Sequence, residues 1–230
     1  HTAQHFTECG VHDMGDIRAW NDADEYTDHL GGHLRDIVRD DAVPLVLGGE
    51  HTVTVPAVKA VDPDIFVCLD AHLDLREAYD GNPWNHACVT YRALETADEA
   101  IIVGARTGSE AEWERASEAD VTVVEPDAVD DWLAEPPDLD DESVYLSVDI
   151  DAADPGFAPG TGTMEPGGLT PQQLHAAVRA VAPACDGFDL VEVNDRDDGQ
   201  AAALAAKLLR KFVYEHTAAA TVAGTGQSDT

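Results

Sequence analysis

Six short runs of apolar, mostly β-branched residues constrain this chain most: Val43–Leu47, Ile65–Leu69, Ala100–Val103, Val121–Val124, Val144–Ile150 and Phe188–Val193. A strand with one wet face alternates polar and apolar residues, whereas a strand covered on both faces reads as a continuous apolar run, as these do. Helical patterns lie between them, at Glu25–Arg39, Val53–Ala60, Cys88–Glu95, Glu110–Ala116, Pro171–Ala182 and Gln200–Glu215. Thr170 followed by Pro171 reads as an N-cap with proline at the first helical position. Strands alternating with helices predict an α/β fold built on a parallel sheet with right-handed crossovers. The 230 residues suffice for one domain with a full core, so residues 1–230 are read as a single unit. Pro136, Pro137 and the acids of Asp138–Glu142 form a solvated loop within it, and residues 218–230, rich in Ala, Thr and Gly, form a peripheral tail. No apolar run reaches membrane-spanning length, and HTAQHFTECG lacks the basic-then-apolar order of a signal peptide.

The charge balance excludes some partners. Asp and Glu total 46 against 13 Lys and Arg, a formal net charge of -33, with Lys59, Lys207 and Lys211 the three lysines. Such a surface repels nucleic acid and anionic membranes. Recruitment of cationic partners is one reading. The other is adaptation to high salt, where the Debye length shrinks to roughly 3 Å at 1 M and self-repulsion is screened. The acids are spread along the whole chain, which favours the second reading and a cytoplasmic, halophilic origin. Cys9, Cys68, Cys88 and Cys185 form no CxxC pair, so neither a disulfide framework nor a zinc cluster is expected, and Cys68 reads as a small core residue.

Open parallel sheets bind ligands beyond the carboxyl ends of their strands. Three strands run into polar clusters there: Gly48-Gly49-Glu50-His51-Thr52, Asp70-Ala71-His72-Leu73-Asp74 and Ser147-Val148-Asp149-Ile150-Asp151. Extended backbone alternates side chains between faces, which points Asp70, His72 and Asp74 one way and Ala71 and Leu73 back into packing; Asp149 and Asp151 follow the same rule. With His51, one crevice gains four carboxylates and two imidazoles. Four carboxylates cannot all ionise in a dry crevice without cations, and two divalent ions cancel their charge. Oxygen and imidazole donors suit manganese better than a structural zinc. In so acidic a chain a single DxD is more often solvated surface than ligand; three clusters at three strand ends are not.

These segments resemble the arginase/agmatinase (ureohydrolase) family, most closely its archaeal agmatinases. The family's GGDH, DAHxD and long third signatures appear as Gly48–His51, Asp70–Asp74 and Ser147–Pro155 running on to Leu169. The resemblance implies a three-layer αβα fold of the arginase/deacetylase type, two Mn2+ per subunit and release of urea from a guanidino substrate. It also implies a homo-oligomer, a trimer or hexamer. The matching metal ligands are His51, Asp70, His72, Asp74, Asp149 and Asp151. Asp74 also matches a carboxylate beside the attacking solvent. His86, in Asn82-Pro83-Trp84-Asn85-His86-Ala87, matches a flexible-loop histidine that delivers a proton. Glu192 matches a clamp on the substrate guanidinium, so His86 and Glu192 bind substrate as well as act on it. Gly160 and Gly162 shape the loop over the metal site. Glu50, Met164 and Asp195 depart from the pattern, standing for aspartate, proline and proline, and the last leaves the loop after Glu192 less defined. The family's first strand and its proline/glycine-rich loop are not found in this sequence.

The segment Leu75–His86 resembles agmatinases more than arginases, and the Asn- and Ser-containing elements that hold an α-carboxylate and α-amine are not found in order. Agmatine, giving putrescine and urea, is therefore the expected substrate. Arginine, guanidinobutyrate and formimidoylglutamate are the alternatives, with Arg76 either binding a carboxylated substrate or pairing with Glu77 or Asp80. A zinc-dependent deacetylase of the same fold would not need the complete two-metal set, and a metal-binding subunit without activity would not need His86 and Glu192.

Overall fold

The computed structural model describes residues 6–19 and 21–226. The signal-peptide reading at residues 1–5 and the tail reading at 227–230 lie outside the described residues.

Among the described residues six strands, β1 (Leu45–Leu47), β2 (Ile65–Leu69), β3 (Glu99–Val103), β4 (Val121–Val124), β5 (Val144–Asp149) and β6 (Cys185–Val191), form one wholly parallel sheet in the order β1-β6-β5-β2-β3-β4. Among the described residues seven α-helices cover it: α1 (Ala23–Arg39), α2 (Thr54–Val61), α3 (Val89–Ala93), α4 (Glu110–Arg115), α5 (Val129–Ala134), α6 (Pro171–Val181) and α7 (Gln200–Gly226). Alternate strand residues feed two cores. Phe66, Cys68 and Tyr145 pack under Leu30 and Leu34 of α1, Val55 and Val58 of α2 and Val89 of α3. Val67, Leu69, Leu146, Val148 and Phe188 pack under Leu174 and Val178 of α6 and Leu208 and Phe212 of α7. The inner strands β2, β3, β5 and β6 are buried on both faces, as their apolar runs predict, while the edge strands β1 and β4 are partly exposed, and the architecture is three-layer αβα.

Two elements depart from the sequence reading. Helix α5 forms where none was expected, since its short VDDWLA stretch shows little helical period; its anchor is Val129, fully buried. Helix α7 continues past Glu215 to Gly226, through much of the stretch read as a tail. Helix termini elsewhere are set locally. Thr170 and Gln173 form a reciprocal capping box with Pro171 at the first position of α6, and Ser109 and Glu112 do the same for α4.

Sheet order places the site. From β2 the chain moves outward to β3 and β4, then returns to β5 and moves the other way to β6. The order therefore reverses between β5 and β2, where an open parallel sheet leaves a crevice at its carboxyl edge. The pairing Leu69↔Val148 sets Asp70 beside Asp149, and β6 delivers Glu192 at the next position across.

Candidate metal centre

His51, Asp70, Asp74, Asp149 and Asp151 are at most 5% exposed, and His72 is mostly buried beside them. His51 Nδ1 lies 3.5 Å from Asp70 Oδ2 and 3.3 Å from both Asp74 Oδ2 and Asp149 Oδ2. It makes no hydrogen bond to any of them. A buried ring nitrogen ringed by three carboxylate oxygens, yet bonded to none, is a set of donors aimed at one point. A second set stands alongside: His72 Nδ1 lies 3.0 Å from Asp151 Oδ2 and 3.4 Å from Asp70 Oδ1. Asp70 thus turns one oxygen to each histidine. All six predicted ligands come together, in two groups sharing one carboxylate, and the donor set fits a pair of divalent ions.

The means differ from simple alternation. Asp70 ends an extended strand, and Ala71 and Leu73 are fully buried as expected. Asp74, however, sits in the left-handed region at φ 50°. Asp149 and Asp151 are related by a turn of 3-10 helix, Ile150–Ala152, whose first N–H groups Asp149 caps through Asp151 N to Oδ1 at 2.8 Å. Asp70 makes the same local bond, His72 N to Oδ1 at 2.7 Å. In Asp149 one carboxylate oxygen fixes the local turn and the other faces the site, whereas Asp70 Oδ1 does both, bonding His72 N while it faces His72 Nδ1. Glu192 is also left-handed, at φ 59°. Two of the candidate functional residues thus hold backbone conformations that cost about 1–3 kcal/mol each in a non-glycine residue.

Without cations, these carboxylates are hard to ionise. Burial, then the charges of Asp74 and Asp151, push Asp70 up to about 7. Burial, then Asp151 and Asp70, hold Asp149 well above its ordinary value. Burial lowers His72, but hydrogen bonds to Asp151 and Asp70 outweigh it and carry the ring to about 11. Protons stand in for missing positive charge, and divalent ions compete for the same atoms.

A buried chain of hydroxyls that the sequence reading missed supports His51. Tyr145 Oη donates to Asp189 Oδ2 at 2.9 Å and Ser147 Oγ donates to Asp189 Oδ1 at 2.6 Å. Ser147 has spent its proton, so at 3.0 Å it accepts from His51 Nε2–H, which leaves Nδ1 with a lone pair for the site. Gly187 makes room for this: a Cβ there would meet the Tyr145 ring at 2.5 Å. The signal in the sequence is Asp189 itself, an acid inside an apolar run. Ser147→Ala is expected to lower metal affinity by about 10–100-fold with the fold retained, measured by competition with a chelating dye. Unchanged affinity would refute the orienting role.

Arg106 was missed too. Its guanidinium donates to the carbonyls of Gly104 (2.9 Å), Asp151 (2.9 Å) and Glu165, tying the backbone behind the site to the loop that precedes α6. The loop after Glu192 is better held than the substitution at Asp195 suggested. Asn194 N donates to Gly160 O at 2.9 Å, and Asp197 accepts from Gly199 N at 3.0 Å and Ala201 N at 2.7 Å. Asp195 and Met164 are exposed.

At the rim, His86 follows the N-cap Asn85 and is about half exposed, with Nδ1 3.7 Å from Glu50 Oε1. The neighbouring Glu50 carboxylate is the largest influence on its pKa and raises it, against partial burial. Glu192 Oε1 accepts from His51 N at 2.9 Å, so only one of its two oxygens is committed; Oε2 faces Gly162, where a Cβ would come within 3.4 Å. Arg76 pairs with neither Glu77 nor Asp80: its Nε donates to buried Glu112 at 3.1 Å and its guanidinium stacks over Tyr79.

The profile described as the arginase family matches residues 1–214. The chain belongs to the arginase family. Its curated relatives include the N(1)-aminopropylagmatine ureohydrolase of Thermococcus kodakarensis, 38% identical over 213 residues that cover 88% of this chain and 73% of the relative. The agmatinase of Pyrococcus horikoshii is 40% identical over 176 residues, covering 73% and 61% of the two chains. Among solved structures, the agmatine ureohydrolase of Thermoplasma volcanium superposes with a TM-score of 0.83 at 35% identity, over 90% of this chain and 74% of that one. An arginase of Bacillus cereus superposes at 0.75 and 25% identity, over 83% and 77%. As an arginase-family member the chain is a hydrolase, and none of its helices among the described residues is long and apolar enough to cross a membrane.

Proposed function

We propose that this arginase-family chain is an agmatinase-type ureohydrolase that holds two Mn2+ ions and converts agmatine and water to putrescine and urea. The observation that carries it is the pair of donor sets sharing Asp70: His51, Asp74 and Asp149 on one side, His72 and Asp151 on the other. When bound, a pair of divalent ions supplies a water nucleophile at neutral pH and a sink for developing charge. The chain's own residues do the rest. Glu192 offers Oε2 and the spare lone pair of Oε1 to the planar guanidinium, a charge-assisted contact that orients its carbon toward the metal ligands. Asp74 holds a hydrogen bond from the attacking solvent. His86, whose pKa the Glu50 carboxylate raises, gives its proton to the leaving amine. Arg76 is held through its Nε by Glu112, a partner inside the protein, in place of the substrate-carboxylate role the sequence left open to it. The names of the similar chains, agmatinase and agmatine ureohydrolase at higher identity than arginase, support agmatine as the substrate.

Two expectations follow at the rim. His86→Ala retains both metals and slows turnover by about 100-fold or more, the contribution of one positioned acid; loss of manganese on elemental analysis would contradict that role. Glu50→Gln removes the neighbour that raises His86, so the alkaline limb of the pH–rate profile moves to lower pH. An unmoved limb would separate His86 from the rate. The substrate is decided by a panel of agmatine, aminopropylagmatine, arginine, guanidinobutyrate and formimidoylglutamate, with manganese in molar salt. Agmatine should give the highest kcat/KM for urea release, and no urea from any member would overturn the ureohydrolase reading. Molar salt belongs to the proposal, since it screens the net charge of -33.

A further inference from the structure

The floor of the site carries a soft donor that the ureohydrolase reading does not use. Strand β2 points Cys68 to the same side as Asp70, and Cys68 Sγ lies 3.7 Å from Asp70 Oδ2. His51, Cys68 and Asp70 each bring a ligand atom within 4.8 Å of the others, and the residues are 0%, 0% and 1% exposed. His51 Nδ1, buried and without a hydrogen bond, points into this group. Zinc bonds of about 2.0–2.3 Å to nitrogen, oxygen and sulfur place tetrahedral ligands about 3.3–3.7 Å apart. Three of the six edges match: 3.7 Å from Cys68 to Asp70, 3.5 Å from Asp70 to His51, and 3.3 Å from His51 to Asp74 or Asp149 for the fourth corner.

We propose that Cys68 is a ligand for thiophilic divalent ions, zinc or cadmium, which take His51 Nδ1, Cys68 Sγ, Asp70 and one of Asp74 or Asp149 as a tetrahedral site. Manganese prefers the oxygen-rich donors above; a soft ion is drawn down to the sulfur and toward four-coordination. As the metal–sulfur bond forms, the thiol proton leaves to solvent, along with any proton held on the carboxylates that bind the ion. The site then has two metal states, and the soft one sits away from His72 and Asp151, so it competes with the two-metal arrangement and inhibits it. This inference rests on the reading of His51 and Asp70 as metal ligands.

The test is titration of the full, metal-depleted chain with Cd2+ while following the ultraviolet thiolate-to-cadmium charge-transfer band, alongside Mn2+ binding followed by paramagnetic resonance of the free ion. Wild type should develop the band to saturation at one equivalent. Cys68→Ala and Cys68→Ser should both lack it and lose Cd2+ affinity by more than the roughly 10–100-fold that outer-shell changes produce. Their Mn2+ affinity should fall far less. Cys88→Ser, at a buried thiol outside this group, should keep the band and controls for packing damage. Saturable Cd2+ binding without the band in wild type overturns the proposal, as does a band that survives in both Cys68 variants. Absence of Mn2+ binding in wild type would instead sink the two-manganese reading, and the cadmium band would still decide the thiolate ligand.

Discussion

Asp149→Ala is expected to reduce bound manganese from two equivalents to one or none and to slow urea release at least about 1,000-fold, the rate equivalent of roughly 4 kcal/mol of lost metal assistance. Asp149 faces His51 Nδ1 at 3.3 Å and borders both donor sets, and its capping of Asp151 N shapes the turn that presents Asp151. Asp149→Asn keeps the capping oxygen and removes the charge, so it separates these effects. In chelator this variant should be more thermostable than wild type, because burial and the neighbouring Asp151 and Asp70 hold the native carboxyl well above its ordinary value. With manganese the order should reverse. Elemental analysis, urea assays and thermal melts read the three quantities; full activity, or a wild-type order unchanged by metal, would contradict the assignment.

Manganese should also stabilise the fold strongly, and more at high pH. An ion at 1,000 times its dissociation constant adds about 4.1 kcal/mol per site, and a chain of this size gains about 2–4 °C per kcal/mol, so each site is expected to raise Tm by about 8–16 °C. The sign of the pH effect follows from the protons. Asp70 titrates at 3.8 when unfolded and about 7 when folded, so the native state binds more protons across that window and stability falls as pH rises through it. His72, raised from 6.5 to about 11, contributes stability fully present below 6.5 and lost as pH rises toward 11. Asp151 is lowered, first by its bond to His72 once burial is set aside, and its contribution is lost only as pH falls below the ordinary carboxylate range. In chelator, therefore, stability should decline from about pH 4 upward, while manganese, binding the deprotonated atoms, should flatten the curve. Melts at several pH values in molar salt check this. A chelated protein whose Tm ignores pH, together with an Asp149→Asn variant that behaves identically, would contradict the account of the buried charges.

The inner strands were legible because double-sided burial writes itself as continuous apolar runs; Ile65–Leu69 falls where its run does, and the edge strand Val121–Val124 does so too although Thr122 is exposed. The end of α7 was not, because Ala- and Thr-rich sequence is equally at home in a tail. The six candidate ligands were legible from three strand-end clusters and their charge count. Their backbone was not, since the left-handed Asp74 and the 3-10 turn at Ile150–Ala152 yield the same facing as plain alternation. Pairings across the sheet could not be read from one segment. Ser147 meets Asp189 only because β5 and β6 pair in that register, Arg76 finds Glu112 36 residues away, and Glu50 meets His86 across two loops. Cys68 was read as a core residue, and it is buried; what sequence did not show is that its thiol borders His51 and Asp70.

Two ions sharing this crevice through Asp70 would be visible in manganese-edge anomalous diffraction from crystals grown with Mn2+. Two peaks are expected at the carboxyl edge of the sheet, one bounded by His51, Asp74 and Asp149, the other by His72 and Asp151, both contacting Asp70. A single peak, or peaks away from these six residues, would contradict that arrangement.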